Sequence, residues 1–548
     1  MGKRKKSGTT GSRAAAWNTR LAAWTERRSL ALAAAAILIG TLRIVATYAV
    51  FNHTVDEPAH IGCGMEWLSK GTYQLETQHP PLARVFSALG PFLAGERSQG
   101  RTDAYQEGGA ILYHDLQYER NLTLARVGTL PFFWLACAVV YVAGARWYGK
   151  GPAALAVILF TWLPPILAHA SLATTDMALT ATVGLALYTA LVWVSAPTPA
   201  HGAAMGLGCA LAMLAKFSSL LFVPACLGAL LAWAVVSERG WAPLRRLASA
   251  RHGVSLLAAL AVGMATVWAG YRFSFRGGVP APELFAGLRY VYHHQTSGHV
   301  SYLLGERSNS GFWLFYPVAL AVKTPLAFLG LLGGGLALAW RRRGQMIWAA
   351  PVAFTVAIMA VGLYSRINIG TRHVLPIYFG LAMLAAAAAW DWLGRAPERK
   401  WGAWLAAGLV AWLAASGAVN HPDYLAYFNE LAGSQPERIL ADSDLDWGQD
   451  MLRLSARLRE LRAPRVTFTP LLSAYLRDYH GFPPIQRSDP ARPAPGWNAV
   501  SITAWKVMRM GLTFDHPEIV VWPDRVKKAT ERVGRGVLLY YFPPSEFR

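Results

Sequence analysis

Two adjacent carboxylates, Asp56 and Glu57, directly follow the first long apolar stretch of the chain. They open the segment DEPAHIGCGMEWLSKGTYQLETQHPPLAR (56–84), which also holds His79 and ends in Arg84. A carboxylate in such a loop can accept the proton of an attacking nucleophile if it lies within about 2.6 to 3.2 Å of it. It can equally cap a helix that begins at Pro58. This segment alone leaves both roles open.

A second group of charged residues lies near the same predicted membrane face. Asp176 begins an apolar stretch in LAHASLATTDMAL, where it is either a second functional acid or another cap. Charges within a span cost about 2.5 to 3.5 kcal/mol and normally face a cavity or a partner; interfacial snorkelling is the alternative. Together these residues predict an outward-facing cavity for a substrate with an anionic head group on a lipid tail. The cationic candidates are Arg84, Lys216, Lys323, Arg366, Arg372 and His373, and Arg43 lies within the first stretch.

The elements that must position these residues are membrane spans. The chain has 548 residues, of which 54% are hydrophobic and 15% charged. A transmembrane helix needs about 20 apolar residues, and roughly eleven stretches reach that length. The predicted fold is a polytopic α-helical membrane protein. The stretches begin near Ser29, Val127, Pro152, Met177, Gly202, Phe217, Val254, Trp313, Ile347, His373 and Gly402.

The chain divides into three predicted parts. Residues 1–28 form a basic cytoplasmic head, and residues 29–420 form the transmembrane core with two long exterior loops, 51–126 and 272–312. Residues 421–548 read as a small exterior α/β domain. Its predicted helix carries Met451, Leu454, Leu458 and Leu461 on one face, and the strand-like segments are RVTFTPL, GWNAVSITAW, PEIVVW and GVLLYYF.

The net charge of +21 reflects topology more than a nucleic-acid partner. Most basic residues lie in the head or in short loops between stretches, and the positive-inside rule then puts those loops in the cytoplasm. With eleven spans the C-terminal part is exterior. Three of the four cysteines fall in apolar stretches and only Cys63 lies in an exterior loop, so we expect no disulfide framework.

The segment DSDLDWGQD spaces Asp442, Asp444 and Asp446 at alternate positions. A calcium loop is excluded because the glycine and glutamate that an EF-hand requires are missing. A DxD motif belongs to a different class of sugar transferases with a cytoplasmic donor. Capping of the following helix by Asp446 is the favoured interpretation. No metal site is predicted, and a divalent cation is left open as a cofactor.

The first-loop segment VDEPAHIGCGMEWLSKGTYQLETQHPPLARVFSAL resembles the signature of membrane-embedded glycosyltransferases of the C superfamily, in the family 39 branch. That branch includes protein O-mannosyltransferases and the lipid A aminoarabinose transferase. Later segments resemble it in the same order, over about residues 29 to 460: LAHASLATTDMAL, GLGCALAMLAKFSSLLFVP, FYPVALAVKTPLAFL, NIGTRHVLPIYFGLAML and DYLAYFNELAGS with DSDLDWGQDMLRL. Arg84 departs from the pattern, in which a lysine usually follows HPPL.

The resemblance implies transfer of a sugar from a polyprenyl-phosphate carrier to a lipid, glycan or protein acceptor at the outer membrane face. It implies an inverting single displacement with Asp56 as catalytic base, accompanied by the acids Glu57 and Asp176. The residues expected to bind the carrier phosphate or substrate are His79, Arg84, Lys216, Lys323, Arg366, Arg372 and His373. The expected location is a bacterial inner membrane, with the site facing the periplasm.

Two alternatives remain at this point. A ligase would transfer a whole oligosaccharide from the same kind of lipid carrier. A transporter or flippase for an anionic lipid would also need charges within the membrane, but it predicts two matching halves with interrupted helices. The sequence shows no such internal symmetry.

Overall fold

The computed structural model describes residues 9–394, 400–472, 474–512, 520–526 and 528–547. Most of this part of the chain is helical. The α-helices are α1 (Thr9–Val45), α2 (Glu57–Lys70), α3 (Pro81–Leu93), α4 (Ala104–Leu112), α5 (Tyr118–Val127), α6 (Leu130–Tyr148), α7 (Lys150–Thr161), α8 (Pro164–Ala170), α9 (Asp176–Ser195), α10 (Pro199–Ala215), α11 (Ser219–Ser237), α12 (Ala242–Leu247), α13 (Ala250–Gly270), α14 (Pro282–Ser297), α15 (Phe315–Lys323), α16 (Leu326–Arg341), α17 (Met346–Tyr364), α18 (Ile377–Gly394), α19 (Lys400–Val419), α20 (Met451–Glu460), α21 (Ile502–Lys506) and α22 (Trp522–Arg525).

The chain is a polytopic helical membrane protein. Among the described residues, eight helical segments are long and apolar enough to cross a membrane, with α5 and α6 counted as one. Two bent pairs, α7 with α8 and α15 with α16, bring the number to ten. Prolines at each break explain the bends, since proline cannot continue the hydrogen bonding of a helix interior. The predicted stretch that is not among these ten begins near Gly202 and corresponds to α10, which has only 17 residues. A count of eleven spans therefore stays a prediction.

The first long loop folds into helices α2 to α4, which pack against one another and, through α3, against α5. The helix predicted to begin at Pro58 is α2, and the left-handed Gly71 ends it. Its packing depends on two close approaches. A Cβ at Gly64 would lie 1.9 Å from the carbonyl oxygen of Arg84, and one at Gly108 would lie 1.7 Å from that of Pro58. Glycine at both positions therefore lets α3 and α4 hold α2 in a fixed place.

The second long loop contains two short hairpins on either side of α14. The first pairs β1 (Phe275–Arg276) with β2 (Val279–Pro280), and the second pairs β3 (Ser301–Leu303) with β4 (Glu306–Ser308), both antiparallel.

The C-terminal region contains a mixed five-stranded sheet. Its strands are β5 (Val466–Thr467), β6 (Ile485–Gln486), β7 (Gly496–Ser501), β8 (Glu531–Val533) and β9 (Val537–Phe542). They lie in the order β6-β5-β7-β9-β8, with β5 parallel to both neighbours and β9 antiparallel to both of its own.

Most of the predicted C-terminal elements are present. The predicted helix is α20, which buries Met451, Leu454 and Leu458 in one core with residues of the sheet. Three of the predicted strands correspond to β5, β7 and β9. The strand predicted for PEIVVW lies partly outside the described residues, and it is wrong at its end because Trp522 begins α22.

Candidate active site

Asp56 stands immediately before α2, in the N-cap position, yet its side chain makes no capping hydrogen bond. Its Oδ2 accepts a hydrogen bond of 3.0 Å from Nη1 of Arg372. The side chain is 24% exposed, and among the described residues no donor reaches Oδ1. The capping alternative is therefore not realised, and one carboxylate oxygen is available to an incoming hydrogen-bond donor.

Glu57 is fully buried and accepts five hydrogen bonds. Nε and Nη2 of Arg126 donate to its two oxygens at 2.8 and 2.9 Å. The backbone N–H groups of Ala173 and Thr54 donate at 2.9 and 2.7 Å, and the Thr54 hydroxyl completes the set. Burial alone would raise the pKa of Glu57, but the charge of Arg126 and these donors hold the pKa below its usual value. Both oxygens of Glu57 are therefore already used by donors of the fold, and its predicted catalytic role stays a prediction.

Four charged side chains from four separate elements form a row of alternating sign. Beyond Asp56 and Arg372, the same Nη1 lies 3.9 Å from Oδ2 of Asp176. Oδ1 of Asp176 accepts a 2.7 Å hydrogen bond from Nζ of Lys216. Asp176 is the first residue of α9, and Lys216 directly follows α10. Snorkelling of Lys216 is wrong, because its ammonium points into this ion pair.

Several buried donors near this row have no partner within the described part of the chain. They include Nε of Arg372 and the hydroxyls of Ser218 and Ser219, which follow Lys216 at the start of α11. Nearly all buried polar groups in native proteins have a hydrogen-bond partner. These donors, together with the start of α11 beside Lys216, can hydrogen-bond to an anionic group.

Arg84 is buried and donates its hydrogen bonds within the first loop. Its Nε donates to Nδ1 of His60 at 3.1 Å, and its Nη1 donates to the carbonyl of Glu76 at 2.8 Å and to the Tyr73 hydroxyl at 3.1 Å. The Glu76 carboxylate pairs with Nη2. The predicted phosphate-binding role therefore conflicts with the geometry, because these bonds hold the guanidinium to residues 60–79.

His79 belongs to the same network. Its carbonyl oxygen accepts from the Tyr73 hydroxyl at 2.6 Å, and its ring lies edge-to-face with that of His60 at 5.3 Å. Burial and the positive charge of Arg84 hold the pKa of both histidines well below its usual range. Both rings are therefore neutral at physiological pH.

The loop before α18 carries three of the residues predicted to bind the carrier phosphate or substrate, Arg366, Arg372 and His373. Arg372 and His373 lie in a 3₁₀ turn, Thr371–Val374. Burial and the charges of Lys216 and Arg372 hold the pKa of His373 well below its usual range, so it offers a neutral donor. Arg366 is exposed at the edge of this loop. Its guanidinium has no hydrogen-bond or ion-pair partner among the residues that the structure describes.

Lys323 lies in a different environment from the one predicted. Its ammonium donates to the carbonyl oxygens of Leu425 and Asp444 at 2.7 and 2.5 Å, and it lies 4.4 Å from the ring centre of Phe428. These contacts tie the end of α15 to the C-terminal region. The geometry therefore favours a structural role for Lys323 over carrier binding.

Residues 442–450, here called the bridging segment, are the DSDLDWGQD motif, with aspartates at 442, 444, 446 and 450. The Asp446 carboxylate accepts from the Ser501 hydroxyl at 2.5 Å and from the backbone N–H of Thr503 at 3.1 Å. The residue that precedes α20 is Asp450, and its side chain makes no capping bond either. The prediction that Asp446 caps this helix is therefore wrong, because its carboxylate binds the start of α21 instead.

The bridging segment also supplies site residues that the sequence did not identify. The Trp447 ring lies under Arg372, with Cζ 4.0 Å from the ring centre. Asp442 has a left-handed backbone, with φ of 60°, and burial raises the pKa of its carboxyl to about 6. Nothing in the sequence around Trp447 or Asp442 indicates that they lie beside Arg372. Arg126, the partner of Glu57, was missed for the same reason, because the two residues are 69 positions apart in the sequence.

The described residues contain no group of three or more His, Cys, Asp or Glu side chains arranged to hold a metal ion. Whether a divalent cation takes part stays open.

The chain matches the family model of dolichyl-phosphate-mannose-protein mannosyltransferases over residues 34–274. This match confirms the resemblance predicted from the first-loop motif. No curated protein matches the chain.

Several solved structures are similar to the chain. ArnT from Cupriavidus metallidurans bound to undecaprenyl phosphate is 14% identical with a TM-score of 0.48, over 92% of this chain and 97% of that one. Its apo form has the same identity and coverage with a TM-score of 0.49. The oligosaccharyltransferase AglB from Archaeoglobus fulgidus, in complex with an inhibitory peptide and a dolichol-phosphate, is 14% identical with a TM-score of 0.45, over 72% and 56% of the two chains.

Proposed function

We propose that the chain, which matches the mannosyltransferase family model over residues 34–274, transfers a sugar from a polyprenyl-phosphate carrier to an acceptor nucleophile by an inverting single displacement. The observation that carries this proposal is the Asp56 carboxylate. One of its oxygens is held by Arg372 and the other has no donor among the described residues. Glu57, its neighbour, has no such free oxygen.

Asp56 acts as the general base. The acceptor's proton passes to Oδ1 while the acceptor atom forms a bond to the anomeric carbon. The bond between that carbon and the carrier phosphate breaks, and its electron pair stays on the phosphate oxygen. The hydrogen bond from Nη1 of Arg372 to Oδ2 fixes the carboxylate and leaves Oδ1 for the acceptor's proton.

The leaving phosphate needs electrostatic stabilisation more than a general acid. Arg372 and Lys216 supply the positive charge, and the unpartnered Nε of Arg372 supplies a free donor. His373 contributes a hydrogen bond from a neutral ring, and Arg366 is an exposed cation at the edge of the same loop. Arg84 and His79 hold the first loop around Asp56 rather than binding phosphate. Asp176 accepts a hydrogen bond from Lys216 and lies beside Arg372, so it fixes the positions of these two cations.

We also propose that the site faces the exterior, which in a bacterial cell is the periplasmic side of the inner membrane. The basic head and basic loops support a cytoplasmic N-terminus. With eleven spans, the C-terminal domain is then exterior, on the same side as Asp56. The acceptor is a lipid, glycan or protein, and the donor sugar is not specified by the site.

Asp56→Asn tests the base assignment. Asparagine keeps the shape of the side chain but cannot accept the proton, so transfer from a polyprenyl-phosphate sugar by the purified protein should fall by about 10² to 10⁴. The matched control is Asp103→Asn, because Asp103 truly caps α4 by accepting from the backbone N–H of Gln106 at 2.9 Å. Asparagine caps as well as aspartate, so the control should stay active.

The result is decisive in either direction. Near-normal transfer by a well-folded Asp56→Asn would remove Asp56 from the base role. Mass spectrometry of the product separates the alternatives: a ligase transfers a whole oligosaccharide, and a flippase leaves the bond between sugar and phosphate intact.

A further inference from the structure

The Trp447 ring packs against the guanidinium of Arg372. The indole is 4% exposed, and Cζ of Arg372 lies 4.0 Å from its ring centre. A contact with the face of a ring holds a cation without using its N–H groups. Nη1 is used by Asp56, but Nε remains buried without a partner in the described part of the chain.

The same residue also holds the chain next to the base. The backbone carbonyl of Trp447 accepts a 3.1 Å hydrogen bond from the N–H of Val55, which directly precedes Asp56. Beside it, the Asn52 amide donates to the carbonyl of Gly448 at 2.7 Å and accepts from the N–H of Met451 at 2.8 Å. These hydrogen bonds connect the bridging segment, and the residue directly after it, to residues 52 and 55 just before Asp56.

On its other side the bridging segment holds the loop that carries the cation. The Asp444 carboxylate accepts from the backbone N–H of Thr371 at 3.0 Å and from its hydroxyl at 2.8 Å. Thr371 is the residue immediately before Arg372. Lys323 fixes the carbonyl of Asp444 in turn. The segment therefore spans the gap between the proposed base and the proposed phosphate ligand.

We propose that Trp447 is a positioning residue for carrier binding: its ring fixes the plane of the Arg372 guanidinium and leaves Nε–H directed to the carrier phosphate. This inference rests on the proposed function. It makes the C-terminal region part of the phosphate site, although none of its charged side chains needs to touch the phosphate.

The test measures binding of two probes, a polyprenyl monophosphate and the matching polyprenol, to purified protein. Trp447→Leu should raise the Kd for the phosphate by roughly 5- to 30-fold, because cation–π contacts at desolvated sites have that strength. Trp447→Phe, which keeps a weaker ring face, should lie between leucine and wild type. Binding of the polyprenol should not change, since it has no charge to contact Arg372.

The matched control is Trp348→Leu. Trp348 is also 4% exposed and lies under an arginine, with Cζ of Arg342 at 4.9 Å from the ring centre. It is near the opposite end of α17 from the Arg372 loop, about 24 Å along the helix. A loss of affinity that came only from weakened packing would appear in both variants.

A double variant completes the test. In an Arg372→Ala background, Trp447→Leu should cause no further loss, because the ring has no guanidinium left to orient. Two results would overturn this inference and leave the proposed function intact. One is a further loss of phosphate affinity on adding Trp447→Leu to Arg372→Ala; the other is equal phosphate affinity of Trp447→Leu and Trp348→Leu. A wild type that binds the phosphate no better than the polyprenol would overturn the proposed function, and this inference with it.

Discussion

Glu57→Gln is expected to destabilise the protein without removing the catalytic base. The substitution keeps the size of the side chain but replaces one oxygen with an NH₂ group, which faces donors from Arg126 and from Thr54 or Ala173. Breaking a buried ion pair from one side costs about 3 to 5 kcal/mol, because the other charge stays buried without its partner. That cost should appear as a large loss of thermal stability in detergent.

Glu66→Gln is the matched control for this experiment. Glu66 is a second buried carboxylate on α2, but its donors are neutral: the Thr72 hydroxyl and the N–H groups of Gln74 and Leu75. Losing such bonds costs about 1 to 3 kcal/mol. Glu57→Gln should therefore be the less stable variant, and the difference between the two isolates the ion pair with Arg126.

The pH dependence gives an independent check. The folded pKa of Glu57 is lowered, so its contribution to stability is fully present above the usual value of 4.5 and is lost as pH falls through the folded pKa. The stability gap between wild type and Glu57→Gln should therefore be widest near neutral pH and narrow in acid. Transfer should be assayed at low temperature, where the variant is still folded. An inactive Glu57→Gln with wild-type stability would refute the reasoning and would move the base role to Glu57.

Two further predictions follow from burial and from topology. Burial raises the pKa of Asp442 to about 6, so ionisation of this carboxyl disfavours the folded state as pH rises through 6. Asp442→Asn should therefore have a higher Tm than wild type at pH 7.5 and an equal Tm at pH 4; an equal Tm at both would contradict the assignment. A reporter that is active only in the cytoplasm, fused after Arg548, should stay inactive; activity would reverse the proposed orientation of the C-terminal region.

The spans and the DE motif could be predicted from the sequence because both signals are local. A run of apolar residues is enough to identify a membrane helix, and proline breaks explain the bent pairs. The two carboxylates could be singled out but not told apart. Aspartate and glutamate at the start of a helix look alike in a sequence, whereas their roles depend on Arg372 and Arg126, which lie 316 and 69 positions away.

The cationic residues show the same limit more sharply. Arg84 and Lys323 are as prominent in the sequence as Arg372, and each satisfies the rule that a buried charge needs a partner. Their partners turn out to be mainly backbone carbonyls and a neighbouring carboxylate. Lys323 lies 102 positions from Leu425, and no sequence pattern records that contact. The sequence therefore does not distinguish a charged side chain that stabilises the fold from one that binds a ligand. The hydrogen-bond partners seen in the structure make this distinction.

The alternating row of charges also bears on how the base acts. Arg372 is shared by Asp56 and Asp176, so the guanidinium that fixes the proposed base is also the proposed ligand of the leaving phosphate. Asp56 accepts from Nη1, whereas Nε has no partner among the described residues. A carrier phosphate that binds Nε–H therefore does not displace Asp56 from Arg372. The arrangement thus links the position of the base to the position of the leaving group through a single guanidinium.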